Sequence, residues 1–506
     1  MHRSNGGGSD RSITAAGSDF LQLDAADAPP GGLADWLTAR LRQAIADGRV
    51  PVGARLPATR VLAAELGVSR GVVTEAYQRL TDAGHLTGRG RAGTIVVAAP
   101  SPTPPPGNDG TADAGAAVGE AGEGPFGSGP GSNVFDVLRA APARIDLSPG
   151  VPDLAAFPRA AWMRAERSVA GSLAAPSFGY GDPRGTPELR TAVANWLARN
   201  RGIRADPAEV VVVAGTAQAL ALAARVLGAD GIAAVAVEDP GSLGARQHLA
   251  HWGMRTPPVP VDADGIRVDA LRASGAGAVL LTPAHQFPTG AVLSGGRRRD
   301  LARWAAGGGL VVEDDYDAEH RYDRPPVAAL RSILPDRVFY AGSTSKLLAP
   351  ALRIGWMLAP PAHRDALVDA KRFADLGNAA LPQLVLARLM DSGELERQLR
   401  FLRRRHRHRR DTMIDAIRAH LPGAVVHGAA AGLHLTVTFD TAFPDTTFSD
   451  TGLAARALAD GVKTQPLSWH AQRPHRPGLV LGYAATAPST ITEGIAIIGK
   501  ALRTLT

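Results

Sequence analysis

The sequence predicts an α/β protein with a mostly parallel sheet, preceded by a small helical domain. Three observations support this fold class. From residue 143 onward, short apolar runs such as "EVVVVAG", "GAVLLTP" and "GLVVEDD" alternate with helical stretches such as "TPELRTAVANWLARN", as expected for buried parallel strands joined by helices. A stretch rich in Pro, Gly and Ser separates this part from the N-terminal residues. The chain of 506 residues also exceeds the length of one ordinary domain.

Composition narrows the possible classes of protein. The hydrophobic content of 45% and charged content of 20% are typical of a soluble globular protein. No run of 18 apolar residues occurs, and "MHRSNGGGSDRS" lacks the apolar core of a signal peptide, so we expect a cytoplasmic protein without a membrane segment. The absence of cysteine excludes disulfides and sulfur-ligated metals. The net charge of +7 weakly indicates an anionic partner such as nucleic acid or phosphate.

Four segments are predicted along the chain. Residues 1–30 are rich in Gly, Ser and Asp and are expected to form a disordered tail. Residues 31–98 form the small helical domain. Residues 99–142, which begin "APSPTPPPGNDG", are expected to form a flexible linker. Residues 143–506 form the large α/β domain, in which a smaller α/β subdomain is expected to start at about residue 385.

The N-terminal domain is predicted to contain a helix-turn-helix. In "ARLPATRVLAAELGVSRGVVTEAYQRL", Thr59 can cap a first helix that ends at Leu66. Gly67 makes the turn, and Ser69 caps a second helix that runs through Leu80. "HLTG" and "GTIVV" then predict two short strands joined by the tip "RGRA", which would form a wing.

The second helix of this motif would lie in the major groove of DNA. From residue 49 to 91 there are seven arginines and three acidic residues (7 − 3 = +4), so positive charge is concentrated where DNA is expected to lie. The alternative is a winged helix that contacts only proteins. The candidate DNA-binding residues are Arg60, Ser69, Arg70, Gly71, Thr74, Arg89 and Arg91.

The α/β domain contains a candidate reactive lysine in "YAGSTSKLLAPALRIGW". Lys346 is one of only four lysines, against 51 arginines, and it follows a predicted strand in a run with Ser343, Thr344 and Ser345. An amine in this place could react with an aldehyde while the neighbouring hydroxyls hold a phosphate. Pyridoxal 5′-phosphate requires these features, together with a carboxylate for its ring nitrogen.

Two further stretches could supply the carboxylate and the phosphate donors. In "LVVEDDYDAEHRY", Asp314 and Tyr316 point to the same side of an extended segment. "VVVAGTAQALALAARVL" predicts a strand, a Gly-Thr turn and a helix whose N-terminus attracts anions. Each signal alone is as compatible with a turn, a capped loop or a solvated lysine, and only their joint order supports a cofactor site. The candidate phosphate donors here are Thr216, Ala217, Gln218 and Arg353.

These motifs also resemble two known families. "LPATRVLAAELGVSRGVVTEAYQRL" followed by "GTIVV" resembles the GntR family of bacterial transcription regulators. "YGDPRGTPELR", "EDPG", "TPAHQFPTG", "EDDYDAE", "GSTSKLLAPALRIGW" and "AGLHL" resemble fold type I aminotransferases. The whole chain is similar to the MocR subfamily of GntR regulators, in which an aminotransferase-like domain replaces the usual effector module.

The resemblance implies a transcription regulator that binds pyridoxal phosphate and paired DNA half-sites as a homodimer. It would sense the cofactor itself, an amine or an amino acid, because members of the subfamily are associated with vitamin B6 homeostasis, GABA use or taurine use. A working aminotransferase with an accessory DNA-binding module stays open as the alternative, and so does a scaffold without cofactor.

The resemblance also implies roles for individual residues. Lys346 would form the imine with the cofactor, Asp314 would pair with the pyridine nitrogen, and Tyr316 would bond to the ring oxygen. Tyr180 would reach the cofactor of the partner subunit. The residues near the ring would be His285 and Gln286. The residues around the phosphate would be Thr216, Ala217, Gln218, Ser343, Ser345 and Arg353.

Two positions depart from the aminotransferase pattern. Ser242 follows "EDPG" where the family usually has an aromatic that stacks on the ring. Val480, in "GLVLGYA", stands where an arginine usually binds the substrate carboxylate, although Arg473 and Arg476 are close in sequence. The effector is therefore not restricted to an α-amino acid.

The run "RFLRRRHRHRRD" is expected to form a solvated basic helix face, with a contact to DNA or to the N-terminal domain as the alternative. His406 and His408 are two residues apart and lie on different sides of a helix, so no metal site is predicted there.

Overall fold

The computed structural model describes residues 23–88, 93–97, 125–127, 129–322, 327–439 and 449–505. The chain divides into two compact units, Met1–Gly119 and Glu120–Thr506, and each is considered by itself. In the described residues, no helix is both long enough and apolar enough to cross a membrane.

The described part of the N-terminal unit is a helix-turn-helix followed by a two-stranded antiparallel sheet, in which Leu86 pairs with Val96. The predicted strands are thus confirmed. The core that joins these elements is apolar and includes Leu37, Leu41, Leu62, Val73 and Leu80. The elements are α1 (Leu33–Ala46), α2 (Thr59–Glu65), α3 (Arg70–Asp82), β1 (Leu86–Gly88) and β2 (Thr94–Val96).

The N-terminal ends of these helices agree only in part with the prediction. Ser69 caps α3, because its side chain accepts a hydrogen bond from the backbone N–H of Val72. The predicted cap at Thr59 is wrong: Thr59 is the first residue of α2, and its hydroxyl accepts from Arg70 Nε at 3.3 Å. The predicted disordered tail over 1–30 is also too long, because a 3-10 helix, Ala25–Asp27, precedes α1.

The C-terminal unit consists of a large sheet, a smaller sheet and helices around both. Its helices are α4 (Val134–Ala140), α5 (Arg159–Ser172), α6 (Pro187–Arg201), α7 (Thr216–Ala229), α8 (Leu243–His251), α9 (Val268–Ala273), α10 (Gly295–Ala306), α11 (Arg364–Asp375), α12 (Ala380–Asp391), α13 (Glu394–His420), α14 (Asp450–Ala459) and α15 (Pro488–Leu505). Its strands are β3 (Ile145–Asp146), β4 (Val211–Val213), β5 (Val235–Asp239), β6 (Pro258–Asp262), β7 (Gly265–Ile266), β8 (Ala278–Leu281), β9 (Leu310–Asp315), β10 (Val338–Ser343), β11 (Gly355–Leu358), β12 (Ala424–His427), β13 (His434–Phe439), β14 (Val462–Lys463), β15 (Gln465–Pro466) and β16 (Gly478–Gly482).

The large sheet has the order β4-β11-β10-β9-β8-β5-β6-β7. The pairs among β10, β9, β8, β5 and β6 are parallel, whereas β11 is antiparallel to both of its neighbours. The prediction of a mostly parallel sheet is therefore confirmed. The carboxyl ends of β4, β5, β8, β9 and β10 meet at one edge of the sheet, where α/β proteins usually bind ligands.

The smaller sheet belongs to a subdomain that is not made only of C-terminal residues. β12, β13, β16 and β15 are antiparallel, but β3 pairs in parallel with β14. Ile145 and Leu147 lie in the core of this subdomain with residues of α13 and α15. The segment that enters the α/β domain therefore packs with the segment that ends it.

The prediction of a flexible linker over 99–142 is wrong for the end of that range. α4 packs Val134 and Leu138 against Trp469, and the ring of Phe126 stacks on Trp469 with 5.2 Å between ring centroids. These few apolar side chains are sufficient to fix the segment, although Pro and Gly dominate the stretch as a whole.

Candidate functional site

The candidate site lies at the edge where the parallel strands end. Lys346 follows β10, and its Nζ donates a hydrogen bond to the carbonyl of Gly150. Burial lowers the pKa of Lys346, while the carboxylates of Asp317 and Asp314 act in the opposite direction. The sequence-predicted lysine is therefore a partly buried amine next to acidic groups.

Asp314 provides the carboxylate of the site from the end of β9. The hydroxyl of Thr216, at the start of α7, donates to Asp314 Oδ1 at 3.5 Å. Burial, followed by the charges of Asp315 and Asp317, raises the pKa of Asp314 to about 7, against the opposing effect of Lys346. A cation placed beside Asp314 would favour its ionised form.

Tyr316 and His285 are brought together, although they are 31 residues apart. The Tyr316 hydroxyl lies 3.0 Å from His285 Nδ1. The same nitrogen lies 2.9 Å from Asp317 Oδ2, and both of these side chains are buried. Burial, followed by the charge of Asp317, raises the pKa of Tyr316 well above its ordinary value. Asp317 was not predicted as a site residue.

The start of α7 and Arg353 form a candidate anion site. Gly215 has a φ of +80° and precedes α7 without a side-chain cap among the described residues, so the first N–H groups of the helix are available to an anion. Arg353 donates to the carbonyl of Ala214. A Cβ atom on Gly215 would lie 3.2 Å from Arg353 Nη1, which shows how closely the guanidinium approaches the helix end.

Ser343 and Ser345 also lie at this edge. Ser343 is buried at the end of β10, and Ser345 is half-buried in the turn that follows. Both hydroxyl residues thus lie next to Lys346, one at the end of β10 and the other in the turn, in the order that the sequence predicts.

The side chains of Gln218 and Gln286 are engaged within the protein. Gln218 Oε1 accepts from the backbone N–H of Ala214 at 2.7 Å. Gln286 Nε2 donates to the carbonyl of Pro240 at 2.9 Å, and its Oε1 accepts from the Thr289 hydroxyl at 2.6 Å. Both glutamine side chains hold loops at the edge of the site. Gln218 can therefore offer only its backbone N–H to an anion.

Lys371 forms a polar cluster behind the anion site that the sequence did not indicate. Its fully buried Nζ donates to Gln218 Oε1 at 2.9 Å, to Asp375 Oδ2 at 2.7 Å and to Asn378 Oδ1 at 2.5 Å. Gln218 Nε2 also donates to Asp375 Oδ2 at 2.7 Å. The cluster joins α11 to the first turn of α7.

Tyr180 does not contact the site of its own chain. Its side chain is 96% exposed, and that of Phe178 in the same loop is 72% exposed. Exposed apolar side chains also follow in α11 and just after it, at Phe373 and Leu376. A Cβ atom on Gly377 would lie 3.3 Å from Pro183 Cα, so these two segments are neighbours.

The positions that depart from the aminotransferase pattern have structural roles. Ser242 caps α8 by accepting from the backbone N–H of Ala245. Val480 is buried in β16. Arg473 Nε donates to Asp239 Oδ2 at 2.8 Å, so this guanidinium is bound to the last residue of β5.

An aromatic group lies beside Tyr316. The ring of Phe287 is 4.9 Å from that of His434 and 5.0 Å from that of His470, measured between centroids. Burial lowers the pKa of His434 and of His470 to about 3, so both rings are neutral at physiological pH. This side of the site therefore offers aromatic surfaces.

Potential metal ligands occur in the same place. His285, Asp317 and His434 have ligand atoms within 4.8 Å of one another. The hydrogen bond between His285 and Asp317, and a contact of 3.1 Å between His434 Nε2 and the Pro288 carbonyl, account for this grouping without an ion.

The basic run of α13 is only in part the solvated face that was predicted: Arg404 and His408 are exposed, but the opposite side of the helix is not. His406 and Arg409 are buried, and Arg409 Nη1 bonds to Asp153 Oδ2 at 2.8 Å. The ring of His406 lies 5.0 Å from that of His320, measured between centroids and with a tilt of 59°, and His320 Nε2 lies 3.1 Å from the carbonyl of Lys346. The high charge of the run predicted that its side chains are exposed. One side of the helix, however, packs toward the turn that carries Lys346.

Several of the candidate DNA-binding residues lie together on the helix-turn-helix. Arg60, Ser69, Arg70, Gly71 and Thr74 are all exposed. They occupy α2 and the first turn of α3, as predicted. Arg89 and Arg91 lie outside the described residues.

Comparison with known proteins separates the same two parts. Residues 33–96 match the family of bacterial regulatory proteins, gntR family, and residues 143–467 match aminotransferase class I and II. The probable rhizopine catabolism regulatory protein MocR of Rhizobium meliloti is 32% identical over 90% of this chain and 91% of its own length. The HTH-type pyridoxine biosynthesis transcriptional regulator PdxR of Corynebacterium glutamicum is 31% identical over 85% of this chain and 89% of its own.

Solved structures resemble the C-terminal unit. The kynurenine aminotransferase of Pyrococcus horikoshii, in complex with PMP, is 26% identical with a TM-score of 0.66. The match covers 74% of this chain and 93% of the enzyme.

Proposed function

The chain belongs to the MocR subfamily of GntR transcription regulators, and we propose that it controls transcription in response to pyridoxal 5′-phosphate or to an amine or amino acid that reacts with it. The relative PdxR is a regulator of pyridoxine biosynthesis, which supports vitamin B6 metabolism as one candidate pathway. GABA and related amines are the other candidates.

One observation carries this proposal: a lysine amine, a half-buried carboxylate and an anion site share one edge of the sheet. The lowered pKa of Lys346 favours the free amine, which is the nucleophilic form. The raised pKa of Asp314 suits a site that receives a cationic ring nitrogen. The helix end at Thr216 and the guanidinium of Arg353 suit a phosphate. These donors together fit pyridoxal phosphate.

When bound, the cofactor supplies an aldehyde for amines and a ring that withdraws electrons. Lys346 would bind the aldehyde carbon through Nζ, and Asp314 would keep the ring nitrogen protonated. Tyr316 would donate its hydroxyl proton to the ring oxygen. The phosphate would lie among the donors of Thr216, Ala217, Gln218, Ser343, Ser345 and Arg353, with His285 and Gln286 shaping the ring side.

The helix-turn-helix is the proposed reader of operator DNA. The cap at Ser69 leaves Arg70, Gly71 and Thr74 exposed in the first turn of α3, which is the part of a recognition helix that contacts bases and phosphates. Arg60 would contact the backbone from α2. Arg89 and Arg91 are proposed for the wing from sequence alone. Because the target is DNA, the cytoplasm is the proposed place of action.

A homodimer is proposed for the C-terminal unit. Exposed apolar side chains on two neighbouring segments support this proposal, because such side chains mark protein interfaces; they are those of Phe178, Tyr180, Phe373 and Leu376. On such an interface Tyr180 would extend toward the cofactor of the partner subunit. The two N-terminal units would then bind paired half-sites.

Covalent trapping tests the cofactor proposal. The purified protein is saturated with pyridoxal phosphate, reduced with borohydride and digested, and we expect the added mass on the peptide that contains Lys346. Lys346→Ala should lose the adduct, and Lys500→Ala, at an exposed lysine of α15, should keep it. A colourless wild-type protein without an adduct would refute the proposal.

Footprinting tests the regulatory part. DNA upstream of the gene is probed with and without pyridoxal phosphate and candidate amines, and we expect the protected region to change with the effector. Arg70→Ala should weaken protection across salt concentrations. Unchanged affinity in Arg70→Ala would show that α3 is not the recognition helix.

An active aminotransferase is the second candidate, because the C-terminal unit resembles the enzyme of Pyrococcus horikoshii. Steady-state turnover between an amino donor and a keto acceptor would favour it. The burial of Val480 and the bond between Arg473 and Asp239 argue against a substrate carboxylate at those positions.

A further inference from the structure

A buried chain of three side chains ends at the hydroxyl of Tyr316. Asp317 Oδ2 lies 2.9 Å from His285 Nδ1, and the same nitrogen lies 3.0 Å from the Tyr316 hydroxyl. His285 and Asp317 are almost completely buried, whereas Tyr316 keeps part of its surface exposed. Only the tyrosine is therefore in a position to meet a ligand.

The geometry fixes which nitrogen of His285 carries the proton. A carboxylate accepts hydrogen bonds, so Nδ1 must carry the hydrogen that points to Asp317. His285 Nε2 is buried and has no hydrogen-bond partner among the described residues. An orphaned N–H there would be costly, and this again favours an unprotonated Nε2.

This tautomer decides where the hydroxyl proton of Tyr316 points. Because Nδ1 of His285 carries a hydrogen, this nitrogen cannot accept a hydrogen bond from the Tyr316 hydroxyl. Toward His285, the Tyr316 oxygen can therefore act only as an acceptor. A side-chain hydrogen bond to Asp317 also raises the pKa of Tyr316, so His285 and Tyr316 share this acceptor. The N–H of His285 weakens Asp317 as an acceptor and thereby favours donation of the Tyr316 O–H into the site. Without His285, the acidic groups that face Tyr316, which are Asp317, Asp314 and Glu238, would compete for that proton.

The backbone of Gly432 closes this arrangement. A Cβ atom on Gly432 would lie 2.1 Å from His285 Cε1 and 2.8 Å from Asp317 Oδ2. The carbonyl of Gly432 accepts hydrogen bonds from the hydroxyls of both Tyr322 and Tyr483 at 2.7 Å. The glycine of "AGLHL" therefore lets the chain lie directly on His285 and Asp317.

We propose that His285, held by Asp317, is a positioning residue that turns the hydroxyl proton of Tyr316 toward the ring oxygen of the bound cofactor. This inference rests on the proposed function. A hydrogen bond donated by Tyr316 stabilises the negative charge that remains on the ring oxygen when the lysine-bound cofactor loses its own proton. Loss of the donor therefore raises the pH at which that proton is lost.

The test is the pH midpoint of the absorbance change of the lysine-bound cofactor. Tyr316→Phe should raise the midpoint by about one pH unit, as expected for the loss of one hydrogen bond. His285→Leu should raise it by a similar amount and add little in the Tyr316→Phe background. His285→Asn, whose amide can still donate to Asp317, should restore most of the wild-type value.

The opposite results would overturn the inference. These are a wild-type midpoint in His285→Leu, an effect that adds fully to that of Tyr316→Phe, or no restoration by His285→Asn. If His285→Leu does not fold, His285→Phe serves the same comparison, because it keeps a ring against His434. Absence of any lysine-bound absorbance in the wild type would instead refute the proposed function, so the two failures are distinguishable.

Discussion

Replacing Lys371 with methionine tests the support of the anion site most directly. The amine is fully buried, and its three donors are all used by Gln218, Asp375 and Asn378. Burial lowers the pKa of Lys371, and the bond to Asp375 acts against that shift. The charge is therefore retained by its partners, and Lys371→Met removes their common donor while it keeps most of the side-chain volume.

The loss of stability in Lys371→Met depends on the hydrogen bonds that Asp375 keeps after the amine is removed. Breaking a buried ion pair costs about 3–5 kcal/mol when the other charge is left alone. Asp375 is not left alone, because its side chain is 31% exposed and keeps bonds from Gln218 and from the N–H of Gly377. We therefore expect a loss of about 2–4 kcal/mol in the free energy of unfolding.

Urea unfolding of the cofactor-free protein, followed by tryptophan fluorescence, measures this loss. Six of the seven tryptophans lie in the C-terminal unit, so its transition dominates the signal. The matched control is Lys500→Met, at an exposed lysine on α15, which should stay within about 0.5 kcal/mol of the wild type. If the two variants are equally stable, the cluster does not support the fold.

Three other changes test separate parts of the structure. Burial raises the pKa of Asp314 to about 7, above its ordinary value of 3.8, so the folded protein holds a proton that the unfolded chain loses. Stability of the cofactor-free protein should therefore fall as the pH rises from about 4 to about 7, and urea titrations of Asp314→Asn should show a shallower fall. Ser69→Ala removes the cap bond to Val72 and should cost the N-terminal unit about 1 kcal/mol, measured by thermal unfolding of that unit. Gly215→Ala brings a methyl group to 3.2 Å from Arg353 Nη1 at a φ of +80°, and equilibrium titration should show a cofactor affinity at least about tenfold weaker; unchanged affinity would place the phosphate elsewhere.

Local patterns in the sequence were sufficient for the order of the elements and for the part of the site that follows strands. Thr216, Asp314 and Lys346 each lie at or shortly after the end of a strand that begins with an apolar run, and carboxyl ends of parallel strands meet at one edge. α4 was missed, because its apolar side chains are too few to stand out from a stretch dominated by Pro and Gly. The average composition of a segment does not show that the side chains of Phe126, Val134 and Leu138 pack around Trp469.

The supporting residues of the site could not be predicted in the same way. Lys371 and Gln218 are 153 residues apart, and no periodic pattern relates them. Asp317 lies next to the predicted Tyr316, but its role depends on His285, which a separate loop delivers. His406 was misjudged because its neighbours are arginines, whereas its own side of α13 faces the protein interior.

The bond from Lys346 to Gly150 has a consequence for movement within the C-terminal unit. Gly150 follows β3, which pairs with β14, and the nearby Leu147 carbonyl accepts from the N–H of Gly482 at 2.7 Å. The amine of Lys346, which follows β10 of the large sheet, is thus bonded to the backbone segment that leads out of the smaller subdomain. A nitrogen that forms a double bond to carbon gives up hydrogens and changes direction, so capture of an aldehyde and this tie compete for one atom. If Lys346 binds the cofactor as proposed, loss of the bond to Gly150 would free the smaller subdomain to move relative to the large sheet, so that one covalent event would have a structural output.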